Sequence, residues 1–211
     1  MVEKAGHAGR TASPDYAVLP RDAREVLDCW FGAPGTPEFG NARKCWFSRD
    51  LAFDTMLRQR FGALIDAASA SLLDHWTATP LGALALVIVL DQFSRNCHRG
   101  TSRAFAADQK ALRTAQQMIA SGADRLLPGA HHRAFAYLPF EHDETSASQR
   151  ESLRLFKQLA AEPGGASYYR SAVRHAQVIE RFGRFPHRNA LLGRSSMAEE
   201  AAFLREPGSS F

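Results

Sequence analysis

From Arg21 onward, apolar side chains recur every three or four positions, the spacing that puts them on one face of an α-helix. Arg21 to Phe31 reads as a short helix with Val26, Leu27 and Trp30 on one face, broken by Gly32, Pro34, Gly35 and Pro37. Ser48 is the expected N-cap of a helix carrying Leu51, Met56, Leu57, Phe61, Leu64 and Ile65. Pro80 suits the first turn of the next helix, whose stretch Leu81 to Leu90 is apolar all round and therefore central. Ser102 should cap a helix running to Ala120 and stopped at Gly122. Shorter helices follow at Ala130–Tyr137 and Ser146–Ala161. Ala166–Phe182 comes next, with Val173, Ala176 and Ile179 facing inward, and Ser196 to Glu199 reads as a capping box for a last helix through Leu204.

No alternating strand pattern competes with this periodicity. The expectation is an all-α fold of about eight helices, joined by short Gly/Pro turns and packed as antiparallel pairs. Residues 1–20 read as a flexible tail, 21–206 as one domain and 207–211 as a short C-terminal tail.

Composition adds limits. A chain of 211 residues, 45% apolar and 23% charged, buries a sizeable core as a single domain. Its net charge of +4 is spread out, without the basic run a nucleic-acid binder concentrates on one face, so no nucleic-acid partner is expected. The longest apolar run ends at Asp91, too short to cross a bilayer, and the N-terminus lacks a secretory apolar region. A cytoplasmic location follows as the expectation. Three cysteines without CxxC spacing argue against a disulfide framework or a thiolate zinc site, and no HExxH or HxH spacing suggests another metal centre. GxxxxGK[ST], GxGxxG and GxSxG are missing, which disfavours nucleotide-dependent and α/β-hydrolase chemistry.

Three polar clusters interrupt the apolar pattern. LDQFSRN (residues 90–96) ends the most apolar helix with Asp91 and Arg95 four apart, able to pair on one face, and with Gln92 and Asn96 on a neighbouring stripe. YLPFEH (137–142) holds Pro139, expected to break its helix and leave Glu141 and His142 on a turn where they could do acid–base work. Asp143 and Glu144 read as an acidic flank for the helix that follows. The densest cluster is residues 181–189, with Arg181, Arg184, His187, Arg188 and Asn189 set among Phe182, Phe185, Gly183 and Pro186; His175 lies on the preceding helix. Glu180 and Arg184 are spaced to pair, leaving Arg181, His187, Arg188 and Asn189 without local partners.

Together with RGTSRAFAADQKAL (99–112), HAQVIERFGRFPHRNALLGR (175–194) and EEAAFL (199–204), these blocks resemble an uncharacterised, mostly bacterial family, domain of unknown function 924. The resemblance runs from about Val26 to Leu204. It implies an all-helical, tetratricopeptide-like arrangement and brings no established activity. It also implies that Asp91, Gln92, Arg95, Asn96, Glu141, His142, His175, Arg181, Arg184, His187, Arg188 and Asn189 are the positions of interest. The sequence departs from the family at Ser94, where proline is common, at Cys97-His98, where apolar residues are common, and at Asp143, where serine is common.

Three readings of these positions stay open. One is a pocket for a small anionic molecule, with Asp91, Gln92, Arg95, Asn96, Arg181, Arg184, Arg188 and Asn189 binding it. In that pocket Glu141, His142, His175 and His187 would do hydrolase- or lyase-like acid–base work. The second is a helical-repeat module that binds a peptide or protein partner. The third is a buried polar network that only holds helices together. The cofactor, if any, is not named by the sequence.

Overall fold

The structure, a computed structural model, describes residues 14–209. Residues 1–13, most of the expected N-terminal tail, lie outside the described residues, as do 210 and 211. Within that expected tail, Pro14–Val18 forms a short helix, α1, and Leu19 is buried in the core. At the other end, Ser209 is buried and its hydroxyl donates to the Leu204 carbonyl. The ordered fold therefore extends past both expected boundaries.

All regular structure among the described residues is helical. After α1 come α2 (Arg21–Phe31), α3 (Leu51–Ser69) and α4 (Pro80–Val87), the last continuing through a π-helical stretch, Ile88–Phe93, into α5 (Ser94–Cys97). Then follow α6 (Asp108–Ser121), α7 (Ala130–His142), α8 (Ser146–Leu159), α9 (Ala166–Phe182) and α10 (Ala198–Phe203). As the apolar run requires, α4 is central: Leu81 to Val87 are all buried, and the helix packs against α2, α6 and α7. Gly82 lets it approach the turn before it, since a Cβ there would stand 2.1 Å from the Trp76 carbonyl oxygen. Trp30 anchors the core from α2, edge-on to Phe93 and Phe135 at 5.7 and 5.4 Å between ring centroids.

Several helix ends differ from the expectation, each for a local reason. Asp50, not Ser48, caps α3: its carboxylate accepts from the amides of Ala52 and Phe53, whereas the Ser48 hydroxyl donates back to Lys44. Ser102 opens a single 3-10 turn, Ser102–Phe105, and α6 starts only at Asp108. On α9 the buried face is Tyr168, Ala172, His175, Val178 and Ile179: Ile179 faces inward as expected, while Ala172 and His175 take the places expected of Val173 and Ala176. The last helix begins one residue later than expected, with Met197 at the N-cap and Glu200, rather than Glu199, accepting its amide at 2.7 Å.

Pro139 does not break α7, which runs on to His142. A proline inside a helix forfeits a hydrogen bond, a cost of about 3 kcal/mol, so tertiary contacts must hold the last turn. Gln149 of α8 supplies them: its Nε2 donates to the carbonyls of Phe140, Glu141 and Asp143 at 3.3, 2.9 and 2.7 Å. The frayed end of α7 is thereby fixed in the helical direction, and Glu141 and His142 with it.

Beyond α9, Gly183 takes φ +69°, a left-handed conformation that suits glycine, and turns the chain into the 184–194 loop. That loop is fastened at two points. Glu144 accepts the Phe185 amide and two bonds from Arg194, so it ties the loop to the α7–α8 turn rather than flanking α8. Glu200, fully buried, accepts two bonds from Arg184, one from Asn189 and one from the Met197 amide. Arg184 holds the Glu200 carboxyl down, to about 2, as a strong charged partner must.

Removing Glu200 would strand the Arg184 and Asn189 donors, whereas the Arg181–Glu199 pair is exposed on both sides. Glu200→Ala is expected to lower the melting temperature by about 5 °C or more, and Glu199→Ala by less than about 2 °C. Thermal unfolding followed by circular dichroism separates the two, and equal shifts would refute this account of the loop.

Candidate functional site

The helices bring the three sequence blocks to one cavity of about 650 Å³. Gln92, Arg95 and Asn96 reach it from the π-helical stretch and α5, Glu141 and His142 from the end of α7, His175 from α9, and His187 and Arg188 from the 184–194 loop. The exposed residues Phe47 and Arg49 stand at its rim.

Asp91 lies behind this wall with no exposed surface. Its Oδ1 accepts from His142 Nδ1 at 2.7 Å and its Oδ2 from Gln92 Nε2 at 2.6 Å, while Arg95 Nη1 ion-pairs with Oδ1 at 2.8 Å and donates to the Asp91 carbonyl at 3.0 Å. Burial alone would raise its pKa; Arg95 and His142 outweigh burial and hold the carboxyl well below the usual range. The π-helical turn is what gathers Asp91, Gln92 and Arg95 here, since it inserts an extra residue into the helix as the run turns polar. Arg95 also forks onto Asp108 at 2.9 and 3.0 Å.

A carboxylate can only accept, so His142 carries its proton on Nδ1, and Nε2 keeps a lone pair. Burial, then Arg95, lowers the His142 pKa despite Asp91, so the ring is neutral at pH 7. This is the arrangement of a general base oriented by an acid.

A second carboxylate–imidazole pair sits beside the first. His175 Nδ1 lies 3.0 Å from Glu141 Oε1 and 3.0 Å from the Ser171 carbonyl. The Ser171 hydroxyl donates to the same Glu141 oxygen at 2.8 Å, while Glu141 Oε2 is buried without a hydrogen-bond partner in the protein. The rings of His142 and His175 are 6.3 Å apart.

Arg188 completes the polar wall. Its guanidinium lies over Phe105 at 4.8 Å and Phe185 at 4.7 Å, both favourable cation–π distances. The nearest carboxylate, Asp108, already takes Arg95 in a fork and meets Arg188 only at 3.4 Å. Burial and the neighbouring Arg95 pull the Arg188 pKa down to about 10, and Asp108 does not offset them. A buried guanidinium whose charge is incompletely matched has capacity for an anion. Beside it, burial, Arg188 and His175 push His187 down to about 4.

The remaining named residues are elsewhere. Asp91 supports the cavity from behind and does not line it. Arg181 pairs with Glu199 on the surface, and Arg184 pairs with Glu200, not with Glu180 as its spacing suggested. Asn189 is buried and donates to Ser196 and Glu200. These three fasten the loop; they do not face the cavity. Conversely, Arg99, Arg174, Phe105, Ser171 and Tyr168 line it and were not singled out. Tyr168 and Ser171 stand seven and four positions before His175 on one helix face, a spacing that could have found them. Arg99 reaches Asp54 across 45 residues, a pairing no local pattern shows. Among the described residues, no three His, Cys, Asp or Glu side chains are placed to hold a metal ion. None of the described helices is long and apolar enough to cross a membrane.

These features define an all-helical protein in which carboxylate-oriented histidines and arginines face a single recess. The chain belongs to the family described as bacterial protein of unknown function, DUF924, whose model matches residues 26–208. It is similar to the solved structure of a protein of unknown function, ATU0120, from Agrobacterium tumefaciens. The two are 38% identical, with a TM-score of 0.76 over 87% of this chain and 96% of that one. None of the curated proteins compared with the chain matches it.

His187 links the site to acid stability. Its folded pKa of about 4 lies below the ordinary 6.5, so between those values the unfolded chain binds a proton that the folded chain refuses. Stability from this group is full above pH 6.5 and is lost as pH falls toward 4, on the order of 3 kcal/mol. Urea midpoints at pH 7 and pH 4.5 should show the drop, and His187→Asn should flatten it; an equally steep drop in the variant would contradict the assignment.

Proposed function

We propose that the cavity binds a small organic anion and that the protein acts on it by proton transfer, as a hydrolase or a lyase does. The observation that carries this reading is the convergence of two carboxylate–imidazole pairs, Asp91–His142 and Glu141–His175, on the recess that Arg188 lines. A network built only to hold helices has no need of two imidazoles turned toward open volume. The recess also suits a small molecule better than an extended peptide, which needs a continuous concave face.

In this reading Arg188 takes the anionic group, with its ring-stacked guanidinium already desolvated and its orientation fixed by Phe105 and Phe185. His142 Nε2 removes a proton from water or from the ligand's carbon, and Asp91 stabilises the imidazolium that forms, without itself taking the proton. Glu141 orients His175 beside it, and the imidazolium formed on His142 gives its proton back to the leaving group. Gln92 and Asn96 offer amide groups at the wall.

Two measurements test this. Nitrogen NMR of His142 at pH 7 should show protonated Nδ1 and bare Nε2, with titration below pH 6.5; an imidazolium at pH 7 would remove the base. Screening carboxylic and phosphoric monoesters and β-substituted carboxylates should reveal a turnover that His142→Gln lowers by about 10²- to 10⁴-fold while the fold persists. A turnover indifferent to His142→Gln sinks the mechanism.

A further inference from the structure

The cavity differs in character along its length, set by how α7 and α9 run along it: aromatic rings gather at one end, beside Ser48 and Arg49, and the imidazoles at the other. On α9, Tyr168, Ser171 and His175 share one face, and seven residues at 1.5 Å each separate the first from the last by about 10 Å. On α7, Leu138 precedes His142 by one turn. The His142–His175 end is the polar wall already described. At the other end, Phe47 stands 6.1 Å from Tyr168 and 6.4 Å from Trp46, between ring centroids. These rings offer the cavity no hydrogen bond. The Tyr168 hydroxyl is 2.8 Å from His131 Nδ1, and Trp46 Nε1 donates to the Trp30 carbonyl at 2.8 Å. Both polar handles are engaged in the protein, leaving apolar ring surface toward the recess.

Phe47 adds a second observation. It is 67% exposed, although it belongs to a cluster whose other members, Trp46, Phe135 and Tyr168, are buried. An aromatic ring left in solvent at the rim of a cavity, next to buried rings, is a surface that gains by being covered. The volume points the same way: about 650 Å³ lies within the range of roughly 300–1,000 Å³ that holds organic ligands.

We propose that the ligand is an amphipathic organic anion: a carboxylate or phosphate seated at Arg188, joined to an aromatic body that lies along α9 and ends against Tyr168, Trp46 and Phe47. This rests on the anion-binding reading above and extends it to the substrate class. The reacting bond then falls at the polar end, beside His142 and His175, where the anionic group joins the aromatic body, so that body sets which bond the imidazoles meet.

The test uses the full chain and three probes by calorimetry or ligand-observed NMR. 4-Phenylbutyrate has both ends, butyrate only the anion, and 4-phenyl-1-butanol only the body. The expected result is that 4-phenylbutyrate binds about tenfold or more tightly than either of the others. Phe47→Ser, a change at an exposed position that leaves the core intact, should bring 4-phenylbutyrate down toward butyrate. If butyrate matches 4-phenylbutyrate, or if Phe47→Ser and Tyr168→Ala leave 4-phenylbutyrate binding unchanged, the amphipathic class is wrong and the anion site stands. If 4-phenyl-1-butanol matches 4-phenylbutyrate, or no probe binds, the anion-binding reading falls and this inference falls with it.

Discussion

A carboxylate with no access to water keeps its charge only if the protein supplies every partner that water would have supplied. Asp91 is that carboxylate, and much of the molecule is arranged to satisfy it. The helix before it is the most apolar in the chain and carries it into the interior. The π-helical turn brings Gln92 and Arg95 round to it, and the end of α7 brings His142. Arg95 in turn recruits Asp108 at the start of α6. One buried charge therefore fixes the relative placement of four segments, and an imidazole is oriented as a direct result of satisfying it. The same contacts that make Asp91 tolerable give His142 its tautomer.

The fold was largely legible because its apolar period is helical and its breaks are glycines and prolines with local meaning. α2, α4, α8 and α9 begin or end where their capping residues and turns say. Two of the departures share a cause: a distant partner outweighs a local rule. Pro139 reads as a helix breaker, yet Gln149, eight to nine residues away from the carbonyls of Phe140 and Glu141, holds the turn closed. Arg184 reads as the partner of Glu180 by spacing, but a fully buried carboxylate, Glu200, offers it a stronger interaction than an exposed one.

The candidate site was legible in its residue types and not in its division of labour. The block 181–189 reads as a single polar cluster, with only Arg184 given a local partner by its spacing to Glu180. Folding splits it: Arg181, Arg184 and Asn189 turn toward α10, and His187 and Arg188 turn toward the cavity. Side-chain direction in a loop after a left-handed glycine follows no period, so no pattern in the chain could assign these roles. The apolar end of the recess escaped for a different reason. Trp46, Phe47 and Tyr168 look like ordinary core aromatics, and only the position of Phe47 at a rim separates it from them.

The contact between Arg188 and Asp108 joins residues 80 positions apart. The recess is therefore completed by a segment far along the chain from its other walls. The core helices hold Asp91, Arg95 and His142 together, while Arg188 is brought to them by the 184–194 loop, which Glu144 and Glu200 latch. The Asp91–His142 pair belongs to the core; the capacity to hold an anion belongs to the last fifth of the chain.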